Sequence, residues 1–245
     1  MKKTLTPSQW RKVLSRILVG LLLVGCVGQF GRFLWGAQVS MVTVEGTERA
    51  SEVAVRHLAD IRHGERLLSL DLDRIVASVK RHPWVAEARI KRSFPDTVRI
   101  QVEEHKPVLL LAHRGLFFVA DDGEVFVRAR TLGVDLPLLT GVGSERIDEQ
   151  PAVAKRIIND ALDVLASVNA SSALAADALS EIRFDEKLGF SLHLRNHSRI
   201  HLGFRSPADQ MARLEQMLRK GLDLSAKLEV DLDLENMAIA TPLSG

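Results

Sequence analysis

The chain has 245 residues, of which 46% are apolar and 26% charged, so it can form one or two domains with their own cores and is not a disordered chain. Its single Cys excludes an internal disulfide framework and any structural zinc site that needs two or more thiolates. Six basic residues and no acidic residue lie in the first 35, so the other 210 residues hold 27 basic and 31 acidic side chains and have no basic excess that would attract nucleic acid.

The first predicted element is a single membrane-spanning helix. The fifteen residues between Arg16 and Arg32 carry no charge, and a helix over residues 13–35 crosses the roughly 30 Å hydrocarbon core if both arginines extend toward the interfaces. Five basic residues precede this run, which predicts a cytoplasmic tail over residues 1–12 and an extracytoplasmic location for the rest of the chain. The predicted anchor residues are Ile17, Leu21, Leu22, Leu23, Val24, Phe30 and Trp35.

Two other interpretations of this segment involve processing. A cleaved secretory signal requires small residues at the cleavage site, and Gly36-Ala37-Gln38 fits that pattern poorly. Leu23-Val24-Gly25-Cys26 resembles the lipobox of bacterial lipoproteins, which makes a lipid-anchored periplasmic protein the alternative. The apolar run continues past Cys26 to Trp35, where a lipoprotein usually has a polar tether, and this favours the uncleaved anchor.

Residues 39–104 predict a compact α+β domain. The order strand, helix, helix, strand, strand in so short a segment indicates a three-stranded sheet backed by two helices. Asp71 is predicted to cap the second helix, and Pro83 to end it. Trp84 is predicted to open the second strand with its side chain buried. The strands are predicted at residues 39–45, 84–92 and 97–104, and the helices at residues 51–59 and 72–82.

The rest of the chain predicts a mixed β domain with backing helices. Asp121-Asp122-Gly123 has the composition of a hairpin turn. Residues 136–141 are interpreted as a short connection before a helix. The helices are predicted at residues 151–168 and 208–222, and the strands at residues 116–119, 125–127, 182–184, 189–194, 199–204, 228–234 and 237–242.

No arrangement of residues indicates catalysis, a metal or a cofactor. His193, His197 and His201 lie in a predicted hairpin, with His193 opposite His201 and His197 at the tip, so at most two imidazoles can converge. Asp231, Asp233 and Glu235 alternate with apolar residues in the manner of a strand rather than a calcium loop. The motifs of nucleotide-binding, zinc-protease and serine-hydrolase sites are absent from the sequence. The sequence therefore predicts a protein that is not an enzyme.

Residues 237–242 are predicted to form an edge strand, because they close the chain and Pro242 cannot donate to a further strand. No charge in this segment repels an incoming strand, so a partner is predicted to dock there. Replacing Ile239 with Pro, which removes a backbone donor, is the test that the sequence suggests. The predicted partner-binding residues are Leu234, Met237, Ala238, Ile239, Ala240, Thr241 and Pro242.

Four short motifs occur in order after the predicted anchor. They are Val-Thr-Val-Glu-Gly at residues 42–46, Leu-Leu-Ser-Leu-Asp-Leu at 67–72, His-Pro-Trp-Val at 82–85 and Arg-Ser-Phe-Pro-Asp at 92–96. Together they closely resemble the POTRA domain of the FtsQ/DivIB family of cell-division proteins, and the remainder resembles that family's β domain. The resemblance implies a POTRA domain over residues 36–106 and a β domain over residues 107–245. The POTRA motif positions are Val44, Gly46, Leu70, Pro83, Trp84, Val85 and Pro95.

The resemblance also implies a function and partners. Proteins of this family are non-enzymatic scaffolds of the inner membrane at the division septum, where they bind FtsB/DivIC-type and FtsL-type proteins, among other divisome proteins, and link early assembly to septal peptidoglycan synthesis. Their end region binds the FtsB-type partner. One departure is that Asp231-Leu232-Asp233 stands where the family usually has Asp-Leu-Arg. The alternative class, a POTRA-bearing protein-transport factor, requires a long β-barrel that residues 107–245 are too few to build.

Overall fold

The computed structural model describes residues 18–26, 28, 29, 31, 35–129, 134–175, 178–234 and 239–242. Within it the chain forms two compact units, residues 1–104 and 105–245. The described positions between residues 18 and 36 are helical and are labelled α1. Two predicted anchor residues, Ile17 and Phe30, lie outside the described residues. Among the positions described, no helix combines the length and the apolar character needed to cross a membrane.

The first unit has the predicted order of strand, helix, helix, strand and strand, which confirms the sequence-based arrangement. Its sheet has the order β1-β3-β2, with β1 parallel to β3 and β2 antiparallel to it. Buried side chains of both helices, Val55 and Ala59 on one and Ile75 and Val79 on the other, belong to the same apolar core as the inner face of the sheet. The elements are β1 (Met41–Glu45), α2 (Glu52–Ala59), a 3-10 turn (Leu67–Ser69), α3 (Leu72–Val79), β2 (Val85–Ser93) and β3 (Thr97–Glu104).

The start of α3 follows the capping prediction, but its end and the following Trp do not match. The Asp71 carboxylate accepts a hydrogen bond from the Arg74 N–H at 3.0 Å, as an N-cap should. The helix ends at Val79, three residues before the predicted end. Trp84 lies in the turn before β2 and is only half-buried, with the Arg49 guanidinium carbon 4.7 Å from its ring centroid. Trp84 therefore packs against the core, as predicted, but it is not fully buried and it lies one residue before the strand that it was predicted to open.

A single carboxylate holds the loop between β1 and α2. Glu104, at the end of β3, accepts hydrogen bonds from the backbone N–H groups of Glu48, Arg49 and Ala50 at 2.8–3.0 Å. Partial burial raises the pKa of Glu104, but these backbone donors and the Arg49 charge outweigh it and hold the pKa below its usual value of 4.5. Glu104 therefore ties the end of the sheet to the entry of α2.

Replacing Glu104 with Gln should destabilise the first unit by roughly 1–2 kcal/mol at neutral pH, because the amide loses the charge that strengthens these bonds and the site is half-exposed. Because the pKa is lowered in the folded state, the stabilisation is present above pH 4.5 and is lost as the pH falls through the lower pKa. Urea midpoints of wild type and variant should therefore differ at pH 7 and converge once the pH falls below the lowered pKa of Glu104. Glu103→Gln, at the exposed neighbouring position, is the control; a Glu104 difference that persists in acid would contradict this role.

The second unit is built on a nine-stranded mixed sheet of order β12-β11-β10-β9-β8-β7-β4-β5-β6. The pairs β4–β7, β7–β8 and β10–β11 are parallel and the others antiparallel. The elements are β4 (Pro107–Ala112), β5 (Leu116–Ala120), β6 (Val125–Arg128), β7 (Leu138–Thr140), α4 (Ser144–Glu149), α5 (Pro151–Ala170), β8 (Leu179–Asp185), β9 (Gly189–Leu194), β10 (Arg199–Gly203), α6 (Pro207–Arg219), β11 (Leu228–Asp231) and β12 (Ile239–Pro242).

Helices α5 and α6 pack on one face of this sheet. Ile157, Val164 and Leu214 from the helices share one buried core with inward-facing strand residues such as Leu192 and Ile200. Along β9 and β10 the residues between the buried ones, including His193 and His201, are only partly buried. One face of the sheet is therefore the core, and the polar side chains that the strand alternation predicts lie on the other.

The structure corrects the prediction for residues 136–141. Instead of a simple connection, this segment contains β7, which lies between β4 and β8 and is parallel to both. β4 and the short α4 were not predicted either. β11 ends at Asp231 rather than at residue 234. Pairing with a strand on each side stabilises β7. The strand was not predicted because three residues are too few to show an alternating pattern.

Candidate functional site at the edge of the nine-stranded sheet

β12 lies at one end of the nine-stranded sheet, as predicted. It pairs with β11 in antiparallel register, and within the described part of the chain no strand covers its other side. All four of its residues are exposed, including Ile239 at 45%. Leu234, also predicted to bind a partner, is 38% exposed. Of the other predicted partner-binding residues, Met237 and Ala238 lie outside the described residues.

The direction of the backbone groups in β11 follows from one hydrogen bond. The N–H of Leu232 donates to the carbonyl of His201 in β10 at 3.0 Å. Because the N–H and C=O groups of successive residues in a strand point to opposite sides, the groups of Val230 also face β10, whereas those of Glu229 and Asp231 face β12.

The register then decides which groups of β12 are free. Ile239 pairs with Asp231 and Thr241 pairs with Glu229, so the backbone groups of Ile239 and Thr241 face β11. Those of Ala240 and Pro242 face outward. Pro has no N–H, so Ala240 carries the outward donor of the described strand. The N–H of Ile239 faces β11 rather than outward, so Ile239→Pro, the substitution that the sequence suggested, does not test docking alone.

A groove of about 510 Å³ runs beside β12 on the face away from the helices. Its ionisable lining is His201 and three acids, and apolar side chains of Leu188 and Ile239 complete the walls. The Nε2 atom of His201 lies 2.9 Å from a carboxylate oxygen of Glu229, and this hydrogen bond lowers the pKa of Glu229. The groove is lined by Leu188, His201, Glu229, Asp231, Asp233, Ile239 and Thr241.

The histidines of the β9–β10 hairpin do not converge. His197 lies in the connecting loop, with φ 67°, but at its last position rather than at the predicted tip. The register pairs His193 with Arg199 and His201 with Ser191, so the expected His193–His201 pair is wrong. The observed pairs are centred on Asn196, one residue before His197. The reason is that a three-residue loop connects the strands and ends at His197, which has a left-handed conformation. Burial lowers the pKa of His193, although Glu181, 3.9 Å away, opposes the shift.

Sequence reasoning missed another group with metal-ligand chemistry. Ligand atoms of His105, Asp122 and Glu124 lie within 4.8 Å of one another. His105 is 8% exposed and stacks on Phe126, with 4.6 Å between the ring centroids. The two carboxylates belong to the β5–β6 turn and are exposed, and Asp122 already accepts the Glu124 N–H at 2.9 Å. The geometry of this turn explains why the two acids are close.

Chelation of divalent metals should leave the melting temperature of the full chain in detergent unchanged, because the turn is held by its own hydrogen bond. The measurement is thermal unfolding with and without EDTA. A fall of several degrees that zinc restores in wild type but not in Asp122→Asn would instead identify the His105 group as a metal site.

Two family models match the two units of the chain. Residues 37–105 match the POTRA domain, FtsQ-type, and residues 110–233 match the cell division protein FtsQ/DivIB, C-terminal region.

Similar proteins named cell division protein FtsQ occur in several bacteria. That of Anaeromyxobacter sp. (strain K) is 30% identical over 242 residues, covering 94% of this chain and 82% of the relative. That of Myxococcus fulvus is 30% identical over 191 residues, covering 78% and 66%. That of Geotalea daltonii is 25% identical over 245 residues, covering 94% and 89%. The similarity therefore extends over both units.

Proposed function

Because the chain belongs to the FtsQ/DivIB family of cell division proteins, we propose that it is a non-enzymatic, membrane-anchored scaffold of the division machinery. In this proposal it binds FtsB/DivIC-type and FtsL-type proteins at the septum and links early divisome assembly to septal peptidoglycan synthesis. The observation that carries the binding role is the open strand β12, whose four residues are all exposed at the end of the sheet.

The anchor in this proposal is the segment 13–35, with the N-terminus in the cytoplasm and the two folded units outside it. Support comes from the described part of the segment, where residues 18–26 are helical and expose large apolar side chains. Leu21, Leu22 and Leu23 are each more than 60% exposed. Apolar surface of this kind is unfavourable in water and favourable in a bilayer.

The docking mode in this proposal is strand addition to β12. A partner segment that pairs with an exposed edge gains backbone hydrogen bonds, and its alternate side chains provide selectivity. Ala240 offers the outward donor, and the outward carbonyls of Ala240 and Pro242 offer acceptors. Leu234 and Ile239 provide exposed apolar contact beside them.

Affinity capture of the tagged full chain from membranes of its own host tests this function. We expect FtsB/DivIC-type and FtsL-type proteins to co-purify, and the intact mass of the captured chain to include residues 1–26. The matched control is the same capture from a strain that carries the untagged chain. Capture without either division protein would contradict the proposed function, and a mature species that begins at lipid-modified Cys26 would contradict the uncleaved anchor.

A further inference from the structure

We propose that the groove beside β12 selects a partner strand that carries a Lys or Arg side chain. This inference rests on the proposed function, because it concerns the chemistry of the partner that β12 receives. The described lining of the groove contains the carboxylates of Glu229, Asp231 and Asp233 and no Lys or Arg. An occupant of this groove therefore meets negative charge.

The acids of β11 lie where a partner's side chains would reach them. Asp231 and Glu229 are directly opposite Ile239 and Thr241, so these four residues share one face of the two strands. A strand added to β12 lies about 4.8 Å beyond it and about 10 Å from β11. The side chains of Lys and Arg are long enough to cross β12, so the apolar stem would cover Ile239 while the charged end approaches Asp231.

The acids differ in the side-chain partners that they already have within the unit. His201 lies 2.9 Å from Glu229, and the Arg205 guanidinium lies 3.7 Å from Asp233. Asp231 accepts the N–H of Asp233 at 2.9 Å, and no described Lys, Arg or His lies within 4.0 Å of its carboxylate. Asp231 is therefore the charge that an incoming cation can pair with.

The carboxylate of Asp233 lies against the backbone of Gly203 in β10. Gly203 leaves the space for its carboxylate, since a Cβ there would be 2.1 Å from an Asp233 oxygen. Asp233 therefore adds a third carboxylate to the groove beside Glu229 and Asp231. A partner strand with an acidic side chain at this place would be repelled, which gives the groove a basis for discrimination.

The test compares membrane captures of the full chain with Asp231→Asn, Asp231→Lys and the control Glu149→Lys, a charge reversal on exposed α4. We expect Asp231→Asn to retain about 5- to 30-fold less division partner at moderate salt and Asp231→Lys to retain none. The wild-type complex should weaken as salt rises, and the control should match wild type. Because Asn is nearly isosteric with Asp, melting temperatures will show that this variant is folded.

A charge exchange completes the test. Once the captured partner is identified, replacing the Lys or Arg of its docking strand with Glu should abolish capture by wild type and restore it with Asp231→Lys. If wild type captures no division partner, the proposed function fails. If it captures one equally with Asp231→Asn, or if the docking strand has no Lys or Arg, the charge inference fails and the function stands.

Discussion

Replacing Gly46 with Ala should destabilise the first unit by about 2–5 kcal/mol, because the added methyl group carries both a conformational and a steric cost. Gly46 follows β1 with φ +87°, and a Cβ there would lie 2.1 Å from the carbonyl oxygen of Val102 in β3. The cost combines about 1–2 kcal/mol for a left-handed conformation with about 1–3 kcal/mol for overpacking against backbone that cannot rotate away. That is a large part of the stability of a small domain.

Gly64→Ala is the matched control. Gly64 has nearly the same conformation, φ +81°, but nothing lies within 4 Å of the added Cβ, so only the conformational cost should remain. All three Trp residues lie at or before position 84, so Trp fluorescence in urea follows the first unit of the full chain in detergent. Equal midpoints for the two variants would show that the Val102 contact relaxes freely.

Much of the first unit could be predicted because its signals are local. The Asp71 cap, the alternation over Thr97–Glu104 and the turn composition at residues 93–96 each specify structure within a few residues. Trp84 could not be placed in the same way. Its apolar ring suggests burial, but the Arg49 guanidinium that lies over it comes from a distant loop, and no local pattern indicates that contact.

The second unit was less predictable because its sheet is assembled from distant segments. β7 is defined by parallel pairing to β4 and β8, which lie about 30 and 40 residues away, and three residues carry too little pattern of their own. The β9–β10 hairpin shows the same limitation at short range. Its alternation indicates which side chains share a face, but only the loop geometry at His197 decides the register.

The candidate site depends both on local sequence patterns and on pairing between distant segments. Pro242 cannot donate to a further strand, so the position of β12 at the edge of the sheet was predictable. The groove brings together Leu188, His201, Asp231 and Ile239, which belong to a turn and three strands. Their proximity depends on the strand order β12-β11-β10-β9, in which β10 and β11 are parallel and separated by α6. Residue types alone therefore did not reveal the groove.

Replacing Ala240 with Pro should weaken partner binding by roughly 5- to 150-fold while the second unit stays folded. The substitution removes the outward N–H of β12, so a carbonyl of the added strand is left without its donor, at a cost of about 1–3 kcal/mol. Pairing with β11 uses Ile239 and Thr241 instead, so the sheet itself keeps its hydrogen bonds. The measurement is quantitative capture of division partners from host membranes, with circular dichroism and melting temperature as evidence of folding.

A substitution at the neighbouring residue, Ile239, distinguishes a loss of docking from a loss of folding. Ile239→Pro removes an N–H that faces Asp231 in β11, so it should release β12 from the sheet and lower the melting temperature as well as the capture. Ala240→Ser keeps the outward N–H and should bind like wild type. A folded Ala240→Pro protein that captures its partners normally would place the docking site away from this edge, and the Asp231 variants would then lose their expected effect too.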